Sequence, residues 1–365
     1  MNFCDLALDC VTKLHPYVPG KPIEELQREY GLTDIVKLAS NENPLGPSPA
    51  VLKAINEVSK EITRYPDGNG FTLKTALAEK YHLDAKQITL GNGSNDVLEM
   101  IARAFVSPTD EVMFSQYAFA VYPLVTQAIG AQAVIAPAKD YGHDLDVMLS
   151  MISDKTKLIF IANPNNPTGS YIANKDIEAF IAKVPTKTLV VIDEAYVEYG
   201  EQTENSIDWL ANYSNVIITR TFSKAYGLAG LRVGYALSHP EVADLLNRIR
   251  QPFNVNSLSL AAATVAVNDN DYLAKTKQKN DAGMVQLSAG FKKLGLSAIP
   301  SKGNFITVDV EQKGDDVFEA LLRQGVIVRP VTNYGLPNHI RVSIGLESEN
   351  QRFLTALADV LGRKL

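Results

Sequence analysis

Residues 157–161, 188–192 and 216–219 read KLIFI, TLVVI and VIIT, and these three apolar runs decide the fold. None of them alternates apolar with polar residues, which is typical of strands that are buried on both faces of a parallel sheet. Residues 111–115 (EVMFS) and 133–136 (AVIA) are two further candidate strands. The middle of the chain therefore predicts a buried, mostly parallel sheet.

Helical patterns lie between the candidate strands. In residues 96–106, and again in 174–184, apolar residues recur at the i, i+3, i+4, i+7 spacing of one helix face. Strands that alternate with helices predict a doubly wound α/β domain. Ligands of such domains bind beyond the carboxyl ends of the strands, so residues that follow the apolar runs are candidate site residues.

In the C-terminal part of the chain the candidate strands and helices follow a different order, which predicts a smaller α+β domain. Its candidate strands are residues 306–310, 326–331 and 339–344, and its candidate helices are 317–324 and 350–364. We expect three units along the chain: an N-terminal segment over 1–35, a large domain over 36–265 and a small domain over 266–365.

Length and composition are those of an ordinary globular protein. The chain has 365 residues, which suggests two domains at about 150 residues each. Hydrophobic residues make up 46% and charged residues 21%, values that argue against intrinsic disorder. The net charge of −6 argues against broad electrostatic binding to nucleic acid or to an anionic membrane.

Cysteine and histidine usage gives no support to a disulfide framework or a metal site. Cys4 and Cys10 are the two cysteines, and the five histidines lie far apart in the sequence, without the spacing of zinc ligands. No apolar run reaches the length of about 18 residues that a membrane helix needs. The first residues, MNFCDLALDC, lack the pattern of a secretory signal, so we expect a cytoplasmic protein.

Residues 91–96 (GNGSND) stand directly before a predicted helix. They begin like the dinucleotide fingerprint G-x-G-x-x-G, but Asp96 replaces the third glycine, which weakens the alternative of a nicotinamide enzyme. The small residues can instead expose backbone N–H groups at the helix N-terminus, where one phosphate would bind. The alternative is a purely structural role for these residues, as a turn and a helix cap.

Each of the three central runs is followed by polar residues. Residues 163–169 (NPNNPTG) follow the first run and are common turn formers. Residues 193–196 (DEAY) follow the second run and contain Asp193 and Tyr196; Asp193 is either a helix cap or a carboxylate aimed at a cationic group. Residues 221–234 (TFSKAYGLAGLRVG) follow the third, and contain Lys224 and Arg232. A lysine in a pocket can form a Schiff base with an aldehyde, and hydroxyls with an arginine suit a phosphate.

Taken together, these motifs describe one ligand. It has an aldehyde for the lysine, a ring nitrogen for the carboxylate, a ring oxygen for amide and phenol donors, and a phosphate. That ligand is pyridoxal 5′-phosphate, whose ring works as an electron sink when an acidic partner holds its nitrogen.

At these residues the sequence resembles the fold type I pyridoxal-phosphate aminotransferases, and most closely the histidinol-phosphate aminotransferase family. The resemblance covers nearly the whole chain. Beyond the motifs above, it is carried by residues 15–20 (HPYVPG), 38–44 (LASNENP), 64–68 (RYPDG), 303–305 (GNF), 328–330 (VRP) and 340–343 (IRVS).

The resemblance implies a role for each matching residue. Lys224 would be the Schiff-base lysine and proton carrier, and Asp193 the partner of the pyridinium nitrogen. Tyr196 and Asn166 would bind the ring oxygen, and Phe119, within residues 117–122 (YAFAVY), would stack on the ring. The residues implied to hold the cofactor phosphate are Gly93, Ser94, Asn95, Thr221, Ser223, Arg232 and, from a second subunit, Tyr65. Those implied to bind substrate are Tyr17, Asn304, Arg329 and Arg341.

The resemblance also implies a homodimer with shared sites and a reaction in histidine biosynthesis. Histidinol phosphate and 2-oxoglutarate would be converted to imidazole acetol phosphate and glutamate. An aromatic amino acid aminotransferase or a threonine-phosphate decarboxylase would use the same lysine and carboxylate, so both remain alternatives. A non-catalytic regulator on this fold would need a DNA-binding domain, for which the chain has no basic segment.

Overall fold

The computed structural model describes residues 2–16, 20–200 and 205–365. Its helices are α1 (Asp9–Thr12), α2 (Ile23–Tyr30), α3 (Pro49–Val58), α4 (Phe71–Tyr81), α5 (Ser94–Phe105), α6 (Val121–Ala128), α7 (Leu145–Ser150), α8 (Asn174–Ile181), α9 (Pro240–Ile249), α10 (Ser257–Ala266), α11 (Asn270–Lys293), α12 (Gly314–Arg323) and α13 (Glu347–Leu361).

The strands are β1 (Val36–Lys37), β2 (Ile88–Gly91), β3 (Glu111–Ser115), β4 (Gln132–Ala136), β5 (Ala138–Lys139), β6 (Gly142–His143), β7 (Thr156–Ala162), β8 (Leu189–Asp193), β9 (Val216–Thr221), β10 (Gly234–Ser238), β11 (Ala298–Ile299), β12 (Phe305–Asp309), β13 (Val326–Ile327), β14 (Arg329–Pro330) and β15 (His339–Ser343).

A seven-stranded sheet forms the centre of the fold, in the order β2-β10-β9-β8-β7-β3-β4. All of its neighbouring strands are parallel except β10, which runs antiparallel to β2 and to β9. The five strands predicted from apolar runs are all present, within two residues at each end. The predicted doubly wound α/β architecture is therefore confirmed.

Both faces of this sheet are buried, as the continuous apolar runs require. Along β7, Ile159 and Ile161 pack in one hydrophobic cluster, with side chains of α8 and α10. Leu158 and Phe160 pack in a second cluster, with side chains of α5 and α6. Because successive side chains of a strand point to opposite faces, a run with two buried faces has no polar positions.

A smaller antiparallel sheet, in the order β11-β12-β15-β14, lies in the C-terminal part of the chain. It packs in one apolar cluster with α11, α12 and α13. The predicted strand over 326–331 is divided in two, because β13 pairs with β1 whereas β14 pairs with β15. We propose that the units predicted over 36–265 and 266–365 follow the two sheets, with β1 attached to the smaller one.

The described residues contain neither a helix of the length and hydropathy that a membrane span requires nor a cluster of three potential metal ligands.

Candidate active site

A cleft of about 250 Å³ opens where β7, β8 and β9 reach their carboxyl ends. The sequence-predicted residues that line it are Asn95, Phe119, Asn166, Asp193, Tyr196, Ser223, Lys224, Arg232, Arg329 and Arg341. Parallel strands that end at one edge bring together side chains that lie far apart in the sequence. Residues of the small sheet, Arg329 and Arg341, close the same cleft.

Asp193 is the last residue of β8, and it is buried. The hydroxyl of Tyr122 donates to its Oδ2 at 2.8 Å, and the hydroxyl of Thr219 donates to its Oδ1 at 3.0 Å. Burial raises the pKa of Asp193 to about 6, against the opposing effect of these two donors. The carboxylate can therefore pair with a cationic ring nitrogen in a site that excludes most water.

Lys224 follows β9, and its ammonium Nζ donates to the Ser40 carbonyl oxygen at 3.0 Å. Burial, together with the positive charges of Arg341 and Arg232, lowers the pKa of Lys224 to about 7. The nearby carboxylate of Glu42 opposes this shift. An amine with such a pKa is partly neutral near pH 7, and the neutral amine is the form that attacks an aldehyde.

Capture of pyridoxal phosphate by the cofactor-free protein is expected to accelerate between pH 6 and pH 8. With a pKa of about 7, the neutral fraction of Lys224 rises from about a tenth to about nine tenths over that range. Stopped-flow absorbance at a series of pH values measures the rate, with Lys224→Ala giving the background from other amines. A rate that rises only above pH 9 would contradict a lowered lysine pKa.

A candidate anion-binding site lies at the N-terminus of α5. Arg232 donates from Nη1 to the Ser223 hydroxyl at 3.2 Å, and the Thr221 hydroxyl accepts the N–H of Ser223 at 3.1 Å. Gly93 precedes α5 with a φ of +84°, and a Cβ there would lie 2.3 Å from Arg232 Nη2. Only glycine leaves room for the guanidinium beside the helix N-terminus, where a phosphate is favoured.

Arg341 joins the small sheet to the turn after β7. Its guanidinium donates to Asn166 Oδ1 at 2.5 Å and to the Ala39 carbonyl oxygen at 2.8 Å. The same guanidinium stands over the ring of Phe305, at 5.4 Å from its centroid. Together with Arg329 it makes one end of the cleft cationic. Planar guanidinium groups in this position suit a phosphate or a carboxylate.

Tyr196 and Phe119 define the walls of the cleft around Asp193. The Tyr196 hydroxyl accepts a hydrogen bond from Asn41 Nδ2 at 2.9 Å. Phe119 lies edge-on to Tyr122, with ring centroids 5.9 Å apart.

Asn304 is buried and donates to the Asn41 carbonyl oxygen at 3.0 Å. It therefore lies behind Asn41 and does not line the cleft.

One predicted residue, Tyr65, lies away from this cleft. Tyr65 is 83% exposed and stacks on Phe253, with ring centroids 4.7 Å apart. It does not line the cleft of its own chain. Tyr17 lies outside the described residues.

Sequence reasoning missed several residues that the structure places at the cleft. Ser40, Asn41 and Glu42 line it directly. Tyr122 and Thr219 bind Asp193. Asn41 and Tyr122 lie in two stretches that carry the family resemblance, residues 38–44 and 117–122. No local pattern, however, indicates which partner a side chain meets.

The model of the aminotransferase class I and II family matches residues 33–357. Histidinol-phosphate aminotransferase 2 of Pseudomonas fluorescens (strain Pf0-1) is 60% identical over 99% of each chain. The chain belongs to the histidinol-phosphate aminotransferase family. The protein of the same name from Haemophilus influenzae (strain Rd) is 55% identical, over 99% of this chain and 99% of that one. The resemblance inferred from the motifs is thus confirmed, and the chain is an aminotransferase.

Solved structures of known proteins share this fold. The histidinol-phosphate aminotransferase of Sinorhizobium meliloti, in complex with pyridoxal 5′-phosphate, has a TM-score of 0.90 and 31% identity, with 97% of each chain covered. The L-threonine-O-3-phosphate decarboxylase of Porphyromonas gingivalis has a TM-score of 0.81 and 22% identity, over 90% of this chain and 100% of that chain. At that identity the second likeness shows a common fold alone.

Proposed function

We propose that this chain transfers the amino group of L-histidinol phosphate to 2-oxoglutarate, as a step of histidine biosynthesis. The products are imidazole acetol phosphate and L-glutamate. The observation that carries the proposal is the 60% identity, over 99% of each chain, to a histidinol-phosphate aminotransferase. The cationic end of the cleft suits the phosphate of the one substrate and a carboxylate of the other.

Pyridoxal phosphate is the cofactor, and the donors in the cleft match its polar groups. When bound, it supplies an electron sink for the carbon from which the proton leaves. Lys224 would bind its aldehyde carbon, and Asp193 would hold its ring nitrogen. Tyr196 and Asn166 would bind its ring oxygen, and Phe119 would stack on the ring. The groups that would hold its phosphate are the backbone at Gly93 and Ser94 together with Asn95, Thr221, Ser223 and Arg232.

Lys224 is the proton carrier of the reaction. Its Nζ would take the proton from Cα of the substrate and would deliver it to the carbon that was the aldehyde carbon of the cofactor. A pKa of about 7 suits both steps, because a base that works near neutral pH must also give its proton back. The positive charges of Arg341 and Arg232 help to hold the pKa low.

Arg341 and Arg329 bind the anionic end of each substrate. Both line the cleft, and Arg341 is buried. Because Arg341 already donates to Asn166, a substrate bound there is also placed relative to the cofactor oxygen. Asn304 supports this wall through Asn41, and Tyr17 completes the proposed substrate set.

The protein acts as a homodimer in which Tyr65 reaches the cofactor phosphate of the partner subunit. Its exposure supports this role, since Tyr65 is 83% exposed and cannot serve its own cleft. Ile62 and Phe71, on either side of it in the chain, are 66% and 72% exposed. Large apolar side chains exposed in one segment mark an interaction surface.

The protein works in the cytoplasm on small molecules, bound to neither nucleic acid nor membrane. The free thiols of Cys4 and Cys10 are compatible with a reducing compartment, and the net charge of −6 gives no attraction for polyanions.

A single half-reaction tests the proposed substrate. Purified protein loaded with cofactor is mixed with L-histidinol phosphate alone, and its absorption spectrum is recorded. Fast and complete loss of the visible band, with gain of the shorter-wavelength band of the amine form, is the expected result. L-phenylalanine and L-phosphothreonine serve as competing substrates.

A kcat/KM that is higher for L-phenylalanine than for L-histidinol phosphate would assign the site to an aromatic amino acid aminotransferase. Release of carbon dioxide from phosphothreonine, with no amine form of the cofactor, would assign it to a decarboxylase. Either result would overturn the proposed substrate and leave the family assignment unchanged.

A further inference from the structure

We propose that Tyr122 is a positioning residue for the cofactor ring, holding Asp193 through its hydroxyl and Phe119 through its ring. This inference rests on the proposed function, because it concerns the cofactor assigned there. It adds a residue to the site that does not line the cleft and to which the sequence analysis gave no role.

Tyr122 has no exposed surface, and it lies in the first turn of α6. Its ring stacks on Phe160 of β7 with centroids 4.5 Å apart and an angle of 4° between the planes. Phe114 of β3 packs against the same ring, with centroids 6.5 Å apart and an angle of 48° between the planes. The ring is therefore held by two neighbouring strands, which fixes the place of its hydroxyl in the fold.

That hydroxyl meets the carboxylate that would bind the ring nitrogen. It donates to Asp193 Oδ2 at 2.8 Å, while the Thr219 hydroxyl donates to Oδ1 at 3.0 Å. Each oxygen of the carboxylate has a hydroxyl donor, and the backbone N–H of Ala195 is a further donor to the group. Together they fix the rotation of the carboxylate. A charge-assisted hydrogen bond of this kind is stronger than one between neutral groups.

The ring of Tyr122 meets the other cofactor contact. Phe119 packs edge-on against it, at 88° and with centroids 5.9 Å apart, an arrangement that aromatic pairs favour. One side chain thus contacts both the residue that faces the ring nitrogen and the residue that covers the ring face. Movement of Tyr122 would disturb both contacts at once.

The hydroxyl remains a donor at every pH at which the enzyme works. Burial and the neighbouring Asp193 raise the pKa of Tyr122 well above its usual value. Burial also favours the neutral form of Asp193, and donors are needed to keep it ionised. If Tyr122 merely filled the core, phenylalanine would serve equally well, since the stacking on Phe160 needs no hydroxyl.

The test compares two ligands on the cofactor-free protein: pyridoxal phosphate and its analogue with C–H in place of the ring nitrogen. Dissociation constants are measured by titration for the natural protein and for Tyr122→Phe. We expect the substitution to weaken binding of pyridoxal phosphate about 10-fold, as for loss of a hydrogen bond to a charged group. Binding of the analogue, which cannot use Asp193, is expected to be unchanged.

Tyr235→Phe is the matched control. Tyr235 is as deeply buried as Tyr122, and its hydroxyl pairs with that of Tyr81 at 2.7 Å, away from Asp193. It is expected to bind both ligands like the natural protein. A second variant, Tyr122→Leu, also removes the support of Phe119, and we expect it to weaken both ligands.

Equal weakening of both ligands by Tyr122→Phe, or no weakening of either, would overturn the role of Tyr122. So would failure of Tyr122→Phe to fold, because the hydroxyl would then serve the core. If the natural protein itself bound neither ligand, the proposed cofactor would fail instead. The two failures are therefore distinguishable.

Discussion

Replacing Lys224 with alanine is expected to abolish the visible absorbance of the bound cofactor and to lower kcat by roughly 10³- to 10⁴-fold. In the proposed mechanism the substitution removes the amine that would bind the aldehyde carbon and the base that would move the proton. Among the residues that the structure describes, Lys224 is the one lysine that lines the cleft. Absorption spectra and steady-state turnover of L-histidinol phosphate measure the two effects.

Lys187→Ala is the control for this variant. Lys187 is an exposed lysine that pairs with Asp154 at 2.8 Å, so its loss should leave spectrum and turnover unchanged. A small primary amine in the buffer should restore part of the turnover of Lys224→Ala, because it can act as an external base. Full activity of Lys224→Ala without added amine would show that another group moves the proton.

Replacing Asp193 with asparagine is expected to lower kcat by roughly 10²- to 10³-fold, as for loss of one preorganised electrostatic contact. The asparagine side chain keeps the size of the aspartate but has no charge to hold a proton on the ring nitrogen. The hydroxyls of Tyr122 and Thr219 would then face a neutral group. Turnover and the dissociation constant of pyridoxal phosphate measure the loss.

Glu194→Gln is the matched control for Asp193→Asn, because Glu194 is the next residue in the chain and also carries a carboxylate. Glu194 is buried in an ion pair with Arg220, with 2.7 Å between Oε2 and Nη2. Glu194→Gln is expected to lower the free energy of unfolding, since a buried arginine loses its partner, and to change cofactor affinity far less. An equal loss of pyridoxal phosphate affinity in both variants would contradict the assignment of Asp193 to the ring nitrogen.

Much of the site was predictable from the sequence because its residues follow recognisable strands. Asp193 and Lys224 each come after a continuous apolar run, and the carboxyl ends of parallel strands meet at one edge. The exposure of Tyr65 was not predictable in this way, and neither was the burial of Asn304 behind Asn41. Both depend on which surfaces of the folded chain meet.

The two sheets also show which strands could be predicted from the sequence and which could not. Continuous apolar runs predicted the central parallel strands, but β2 and β10 were missed, because short strands that contain glycine carry a weak pattern. The predicted strand over 326–331 is divided because its first part pairs with β1, a segment about 290 positions earlier in the chain. No local pattern predicts such a partner.

The amino-acid sequence was enough to predict the doubly wound fold and the family, and to propose the chemistry of the cleft, because period, motif and residue type are local properties. How the chemical groups are held follows from tertiary packing. Tyr122 meets Asp193 across 71 positions of the chain, and Asn41 meets Tyr196 across 155. Such pairs form where packed helices and strands bring distant side chains together. Burial in the packed fold also raises the pKa of Asp193 and lowers that of Lys224.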